Sequence, residues 1–129
     1  MIKRRLYKID SEDAQQATFF EWLGVLAPKY PELSYFFSVP NGGYRNLITA
    51  VRLKRTGTKP GVLDIFAPIP RQGKHGLWIE MKTAKGTVSA EQKKWIYFLQ
   101  SQNYAVFVCR SWTDAAERVI EYLELPVKL

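Results

Sequence analysis

Two stretches of this chain read as buried β-strand yet carry charge in their interior: Val62-Leu63-Asp64-Ile65-Phe66-Ala67 and Leu77-Trp78-Ile79-Glu80-Met81-Lys82. An unpaired carboxylate in such surroundings costs several kcal/mol of desolvation, so the fold must compensate it. Strand side chains repeat with period two, which puts Glu80 and Lys82 on one face. The intervening Pro68–Gly76 segment is a turn by its proline and glycine content, so the two strands are expected to pair as an antiparallel hairpin. A register that sets Asp64 opposite or diagonal to Glu80 brings both carboxylates within reach of one ion.

A hard divalent cation is the simplest compensation, since Mg²⁺ takes one or two carboxylates and keeps waters and phosphate oxygens as its other ligands. Two acids and a neighbouring ammonium suit hydrolysis of a phosphodiester, in which charge develops on phosphoryl oxygens and a water must be activated. The competing reading is a Lys–carboxylate ion pair on a half-exposed sheet. The apolar context of Asp64, with Lys59-Pro60-Gly61 before it and an apolar-Glu-apolar-Lys strand after it, favours the first.

The net charge of +7 predicts a surface that attracts polyanions, with nucleic acid the natural partner. Arg45, Arg52, Lys54, Arg55 and Lys59 all fall between the Asn41-Gly42-Gly43 turn and the Asp64 strand; an ordinary solvated helix face is the alternative for this basic run. Lys85, among other lysines, is placed to widen the surface. At 129 residues, with 47% hydrophobic and 24% charged residues, the chain is expected to form one domain over residues 1–129 rather than a disordered segment. No run reaches the length of a membrane span and the first residues lack a signal-peptide core, so a cytoplasmic location is expected. The single Cys109 supports neither a disulfide framework nor a zinc cage and reads as a buried strand residue. His75, the one histidine, sits in the hairpin turn and should be exposed or touch substrate.

The element order reads helix (Ser11 to Leu26), strand (Leu33 to Val39), helix (Asn46 to Arg55), the two charged strands, helix (Ala90 to Gln102), strand (Tyr104 to Arg110) and a last helix through Leu123, capped by Ser111 or Thr113. Ala14, Ala17, Phe20, Leu23 and Val25 or Leu26 are the expected inner stripe of the first helix; Trp95, Phe98 and Leu99 are that of the third. Met1 to Lys8 and Pro126 to Leu129 are expected to fray. This order predicts an α/β fold with a mixed sheet: an antiparallel hairpin, and a final strand returning parallel through a right-handed crossover.

These residues resemble the PD-(D/E)xK nuclease superfamily and, within it, the virus-type replication-repair nuclease (VRR-NUC) domain. The likeness runs through Pro40-Asn41-Gly42-Gly43, Leu53 to Asp64, Gly76 to Lys82 and Ser89-Ala90-Glu91-Gln92, with Glu12 and Gln16 on the first helix. It implies a restriction-endonuclease-like αβββαβ core with an additional C-terminal helix. Asp64 and Glu80 then resemble the metal-binding carboxylates, the Met81 carbonyl a further ligand, Lys82 the catalytic lysine and Glu12 an additional acid. Gln16 and Gln92 match flanking motif positions. The sequence departs from the superfamily's name in that Leu63, not proline, precedes Asp64.

Other readings stand beside these. Ser89-Ala90-Glu91-Gln92 is also a capping box, which explains Gln92 without catalysis. Glu12 also suits a helix's first turn through the macrodipole. The resemblance implies a Mg²⁺- or Mn²⁺-dependent DNA endonuclease of phage or bacterial type, acting on junctions or flaps, comparable to a Holliday junction resolvase and a homodimer. Asn41, Gly42, Arg45, Arg52, Lys54, Arg55, Lys59 and Lys85 are the expected DNA contacts. The rivals are a non-catalytic DNA-binding module keeping the nuclease fold and a restriction-type, sequence-specific endonuclease.

Overall fold

The computed structural model describes residues 11–40 and 46–129. Helix α1 (Glu12–Leu26) starts where Ser11 accepts a hydrogen bond from the Ala14 N–H at 3.1 Å. Ahead of Pro31 the chain turns into a short 3₁₀ helix (Pro31–Tyr35), and only Phe37–Ser38 form strand β1. The expected strand over Leu33 to Val39 is therefore mostly absent. Leu33 and Phe36 are the buried residues of this stretch, and a spacing of three suits a 3₁₀ turn rather than the period of a strand.

Helix α2 (Leu47–Arg55) begins at Asn46, whose side chain accepts from the Thr49 N–H at 2.8 Å. Strands β2 (Ile65–Ala67) and β3 (Leu77–Met81) follow, then α3 (Ala90–Ser101), β4 (Ala105–Cys109) and α4 (Trp112–Leu123). Ser111, not Thr113, caps α4 by accepting from the Asp114 N–H at 3.1 Å.

The strands lie in the order β1-β2-β3-β4, antiparallel for the first two pairs and parallel for β3 with β4. The α/β expectation and the mixed sheet hold. One sheet face packs on α1 and α4: Ile65, Ala67, Leu77, Ile79, Met81 and Cys109 join Phe19, Leu23, Ala115 and Val119 in the apolar core. Phe19 anchors α1, its ring edge-on to Phe36 at 6.3 Å.

Alpha-helix faces differ in part from the expected stripes. Phe19 and Leu23 are the buried residues of α1, while Val25 is 77% exposed. Apolar residues surround this helix almost evenly, so periodicity left its rotation open, and the aromatic at position 19 settled it. On α3 only Leu99 is buried, Trp95 is half-buried and Phe98 is exposed, because the helix rests on β4 and on the Pro60 loop rather than in the main core.

Past α4, Leu125 is buried and Val127 packs against the core, so the expected fraying from Pro126 is not general. Among the described residues no helix is long and apolar enough to cross a membrane.

Candidate active site

Extending the β2–β3 register by one residue beyond the Ile65–Ile79 pair sets Asp64 opposite Glu80. Directly opposed residues project from one face, and so do Glu80 and Lys82. Asp64, Glu80 and Lys82 thus converge on the sheet face away from the α1–α4 core, beside Phe66 and Trp78, whose ring centroids are 4.4 Å apart.

Asp64 is held from two sides. Its backbone carbonyl accepts from the Val39 N–H at 2.7 Å, and its Oδ2 accepts from the Met81 N–H at 2.8 Å. Alternate N–H groups of β3 face its two neighbours: that of Lys82 goes to Cys109 of β4 at 2.9 Å, that of Met81 to the Asp64 carboxylate. The side chain thereby takes the place of a ladder bond, which is why β2 starts at Ile65 and not at Val62.

Glu80 is the most deeply buried acid of the described residues, at 1% exposure. Its Oε2 accepts from Gln92 Nε2 at 2.8 Å and lies 3.5 Å from Lys82 Nζ, while its Oε1 is buried with no hydrogen-bond partner. Burial, then the neighbouring Asp64 charge, pushes the Glu80 carboxyl from 4.5 up to about 8, against the pull of Lys82. Burial also raises Asp64, opposed chiefly by the hydrogen bond from the Met81 N–H.

The two readings of Gln92 are both realised. Ser89 Oγ accepts from the Gln92 N–H at 3.1 Å and Gln92 Oε1 accepts from the Ser89 N–H at 2.9 Å, completing the capping box. The amide's other end is left to donate to Glu80. A neighbouring glycine makes this fit possible. Gly61 has φ +80°, and a Cβ there would lie 2.6 Å from the Glu91 carbonyl carbon. The Trp95 indole N–H donates to the Pro60 carbonyl at 3.0 Å and fastens the same loop to α3.

Other expected site residues are less engaged. Glu12 is exposed, and the α1 acid whose charge raises Asp64 is its neighbour, Asp13. Among the described residues no cluster of three acids, histidines or cysteines forms. Gln16 is half-buried beside Asp13 at a shallow surface cavity. Arg52, Lys54, Arg55, Lys59 and Lys85 are exposed, the first three in the last turn of α2. Asn41, Gly42 and Arg45 lie outside the described residues. His75 is exposed, edge-on to Tyr104 at 5.9 Å. Cys109 is fully buried, and burial pushes its thiol up to about 12.

Sequence reasoning passed over Asp13, which lies one residue from the chosen acid, and the packing role of Gly61. It also passed over Arg110, which donates from Nη1 to the carbonyls of Thr83, at 3.0 Å, and Gly86, bracing the turn that leaves Lys82.

The site thus lies in an α/β domain whose mixed four-stranded sheet carries two acids and a lysine on one face, braced by a helix-borne glutamine. The VRR-NUC domain profile matches residues 11–112, and the chain belongs to that family of nuclease domains. A solved structure named VRR_NUC domain protein superposes with a TM-score of 0.73 at 25% sequence identity, covering 88% of each chain. No curated protein matches the chain.

Proposed function

We propose that the protein is a Mg²⁺- or Mn²⁺-dependent DNA endonuclease that hydrolyses phosphodiester bonds at the Asp64–Glu80–Lys82 face. The observation that carries this reading is the buried, unpartnered Oε1 of Glu80 beside a second carboxylate. Two acids that can ionise together only when something positive stands between them fit a divalent cation, which takes one or two carboxylates and fills its remaining positions with water and phosphate oxygens. Asp64, Glu80 and the Met81 carbonyl would hold it. When bound, it would supply polarisation of the phosphoryl oxygen and acidification of water.

The chain's own groups have distinct parts in this scheme. The Met81 N–H fixes the orientation of Asp64. Gln92 and Lys82 occupy Oε2 of Glu80 and leave Oε1 free to face the site. Lys82, with its ammonium next to the carboxylates and little exposed, orients the attacking water or offsets the charge that develops on the phosphate. Exposed Arg52, Lys54, Arg55 and Lys59 give the backbone a cationic approach.

Branched or flap-bearing DNA is the proposed substrate, and a homodimer the proposed working form. A chain of 129 residues has little surface with which to grip two duplex arms, and two-fold pairing doubles it. Incubating the purified protein with junction, flap and linear DNA, in Mg²⁺, in Mn²⁺ and in chelator, tests the proposal. Cation-dependent cutting favouring the branched substrates is expected. Binding without cutting in every cation would instead mark a DNA-binding module, and cutting confined to one base sequence a restriction-type enzyme.

A further inference from the structure

A cavity of about 450 Å³ lies between the end of α2, the segment leading into β2 and α3, lined by Val39, Leu53, Thr58, Lys59, Val62 and Trp95. We infer that it receives an unpaired nucleotide of the DNA strand whose backbone lies at Asp64 and Glu80, an inference that rests on the nuclease reading of that site. Three features of the cavity point to this occupant.

The first is position. Val39 donates its N–H to the Asp64 carbonyl at 2.7 Å, Val62 precedes Asp64 by two residues, and Trp95 lies on α3 three residues beyond Gln92, which binds Glu80. One helical turn spans about 5.4 Å. A strand with a phosphate at the carboxylates therefore has its neighbouring nucleotide within reach of the Trp95 wall.

The second is chemistry. Valine and leucine side chains and an indole make an apolar slot, and the indole is held by its bond to Pro60 at 3.0 Å, so the slot has a fixed aromatic wall. Lys59 and Thr58 line the same slot and supply a cation and a hydroxyl for a sugar-phosphate, continuing the positive run from Arg52, Lys54 and Arg55. Apolar floor with cationic flank matches a nucleotide better than an apolar side chain of another protein.

The third is size. The volume suits a single small-molecule-sized group and excludes a duplex, so a base enters only after leaving its stack. That step is easiest for a base already unpaired. Junctions, flaps and bulges provide such bases, and the cavity would convert their presence into preference.

The test uses the full chain in chelator, so that nothing is cut, and a duplex carrying 2-aminopurine as one unpaired nucleotide, against the same duplex fully paired. Tighter binding of the bulged duplex, with a change in 2-aminopurine emission, is expected. Leu53→Phe, which fills the slot, should reduce that preference by about tenfold. Lys59→Gln, on an exposed loop where folding is not at stake, should weaken the bulged duplex more than the paired one. Val25→Ala, on the exposed side of α1, is the control and keeps the parental preference. A parent that binds both duplexes alike, or a Leu53→Phe protein as selective as the parent, overturns the inference. Cleavage of DNA by the parent in Mg²⁺ is scored separately. Cutting without bulge preference removes the cavity proposal alone, and bulge preference without cutting removes the nuclease reading alone.

Discussion

Glu80 illustrates how a side chain unfavourable for folding can mark a candidate site. At 1% exposure with one oxygen unpartnered, its ionised form is disfavoured, and its carboxyl sits near 8 where an ordinary glutamate sits at 4.5. Between those two values the native state holds a proton that the unfolded chain has released. In the cation-free protein this group's contribution to stability is therefore full below about 4.5 and is lost as pH rises through about 8. Thermal melting in chelator should show the midpoint falling across that interval, and added Mn²⁺ should raise it more at pH 8 than at pH 5. A midpoint independent of pH in chelator would contradict the burial argument. For Lys82 the proposed part is in the rate. Lys82→Met should lower kcat by about 10²–10³ with a smaller change in KM, as for loss of one electrostatic stabiliser, and single-turnover cleavage would measure it.

Asp64, Glu80 and Lys82 were legible in the sequence because charge inside an apolar strand is anomalous, and period two puts Glu80 and Lys82 on one face. Asp13 was not, because two adjacent acids at a helix start look alike until the helix is docked. Gln92 was legible as a cap and as a motif position, but nothing in a linear sequence says that one amide can serve both with its two ends.

Elements hold the site through a few contacts between α3, the Pro60–Gly61 loop and β3. Ser89→Ala and Gln92→Ala separate the two tasks of the α3 start. Each removes part of the capping box and should cost about 0.5–2 kcal/mol of stability by denaturant unfolding. Only Gln92→Ala removes the hydrogen bond to Glu80 Oε2, so only that variant should also lose cleavage beyond what its stability loss explains. Equal activity losses in both would assign the glutamine to capping alone. Gly61→Ala meets the α3 backbone at 2.6 Å in a positive-φ turn, and should lower both melting temperature and activity. The 3₁₀ helix at Pro31–Tyr35 shows where element reading fails: a run of apolar and aromatic residues resembles a strand, and the three-residue spacing of Leu33 and Phe36 becomes decisive only once both are seen to fill the core.

Across the whole molecule, one sheet divides two environments. The face against α1 and α4 is apolar and supplies stability; Phe19, fully buried there, should cost about 3–5 kcal/mol when changed to Ala, measured by urea unfolding. The other face carries the charged trio under α3, where the cost of burying ionisable groups is tolerated because the first face is well packed. The α/β layering and the hairpin followed from strand and helix order, whereas the burial of each helix face depended on packing partners distant in sequence. The positive charge, concentrated in part on α2 and the loop after it, should make DNA affinity fall steeply with salt, which filter binding at graded ionic strength would register.

The most direct measurement is calorimetric titration of Mn²⁺ into the chelator-stripped protein near pH 7, repeated in buffers of different ionisation enthalpy. Binding accompanied by release of a proton from the Asp64–Glu80 pair is predicted, with both the binding and the release abolished in the Asp64→Asn, Glu80→Gln double variant. Unchanged Mn²⁺ binding in that variant, or binding by the parent with no proton released, would show that the buried acids are not the cation site.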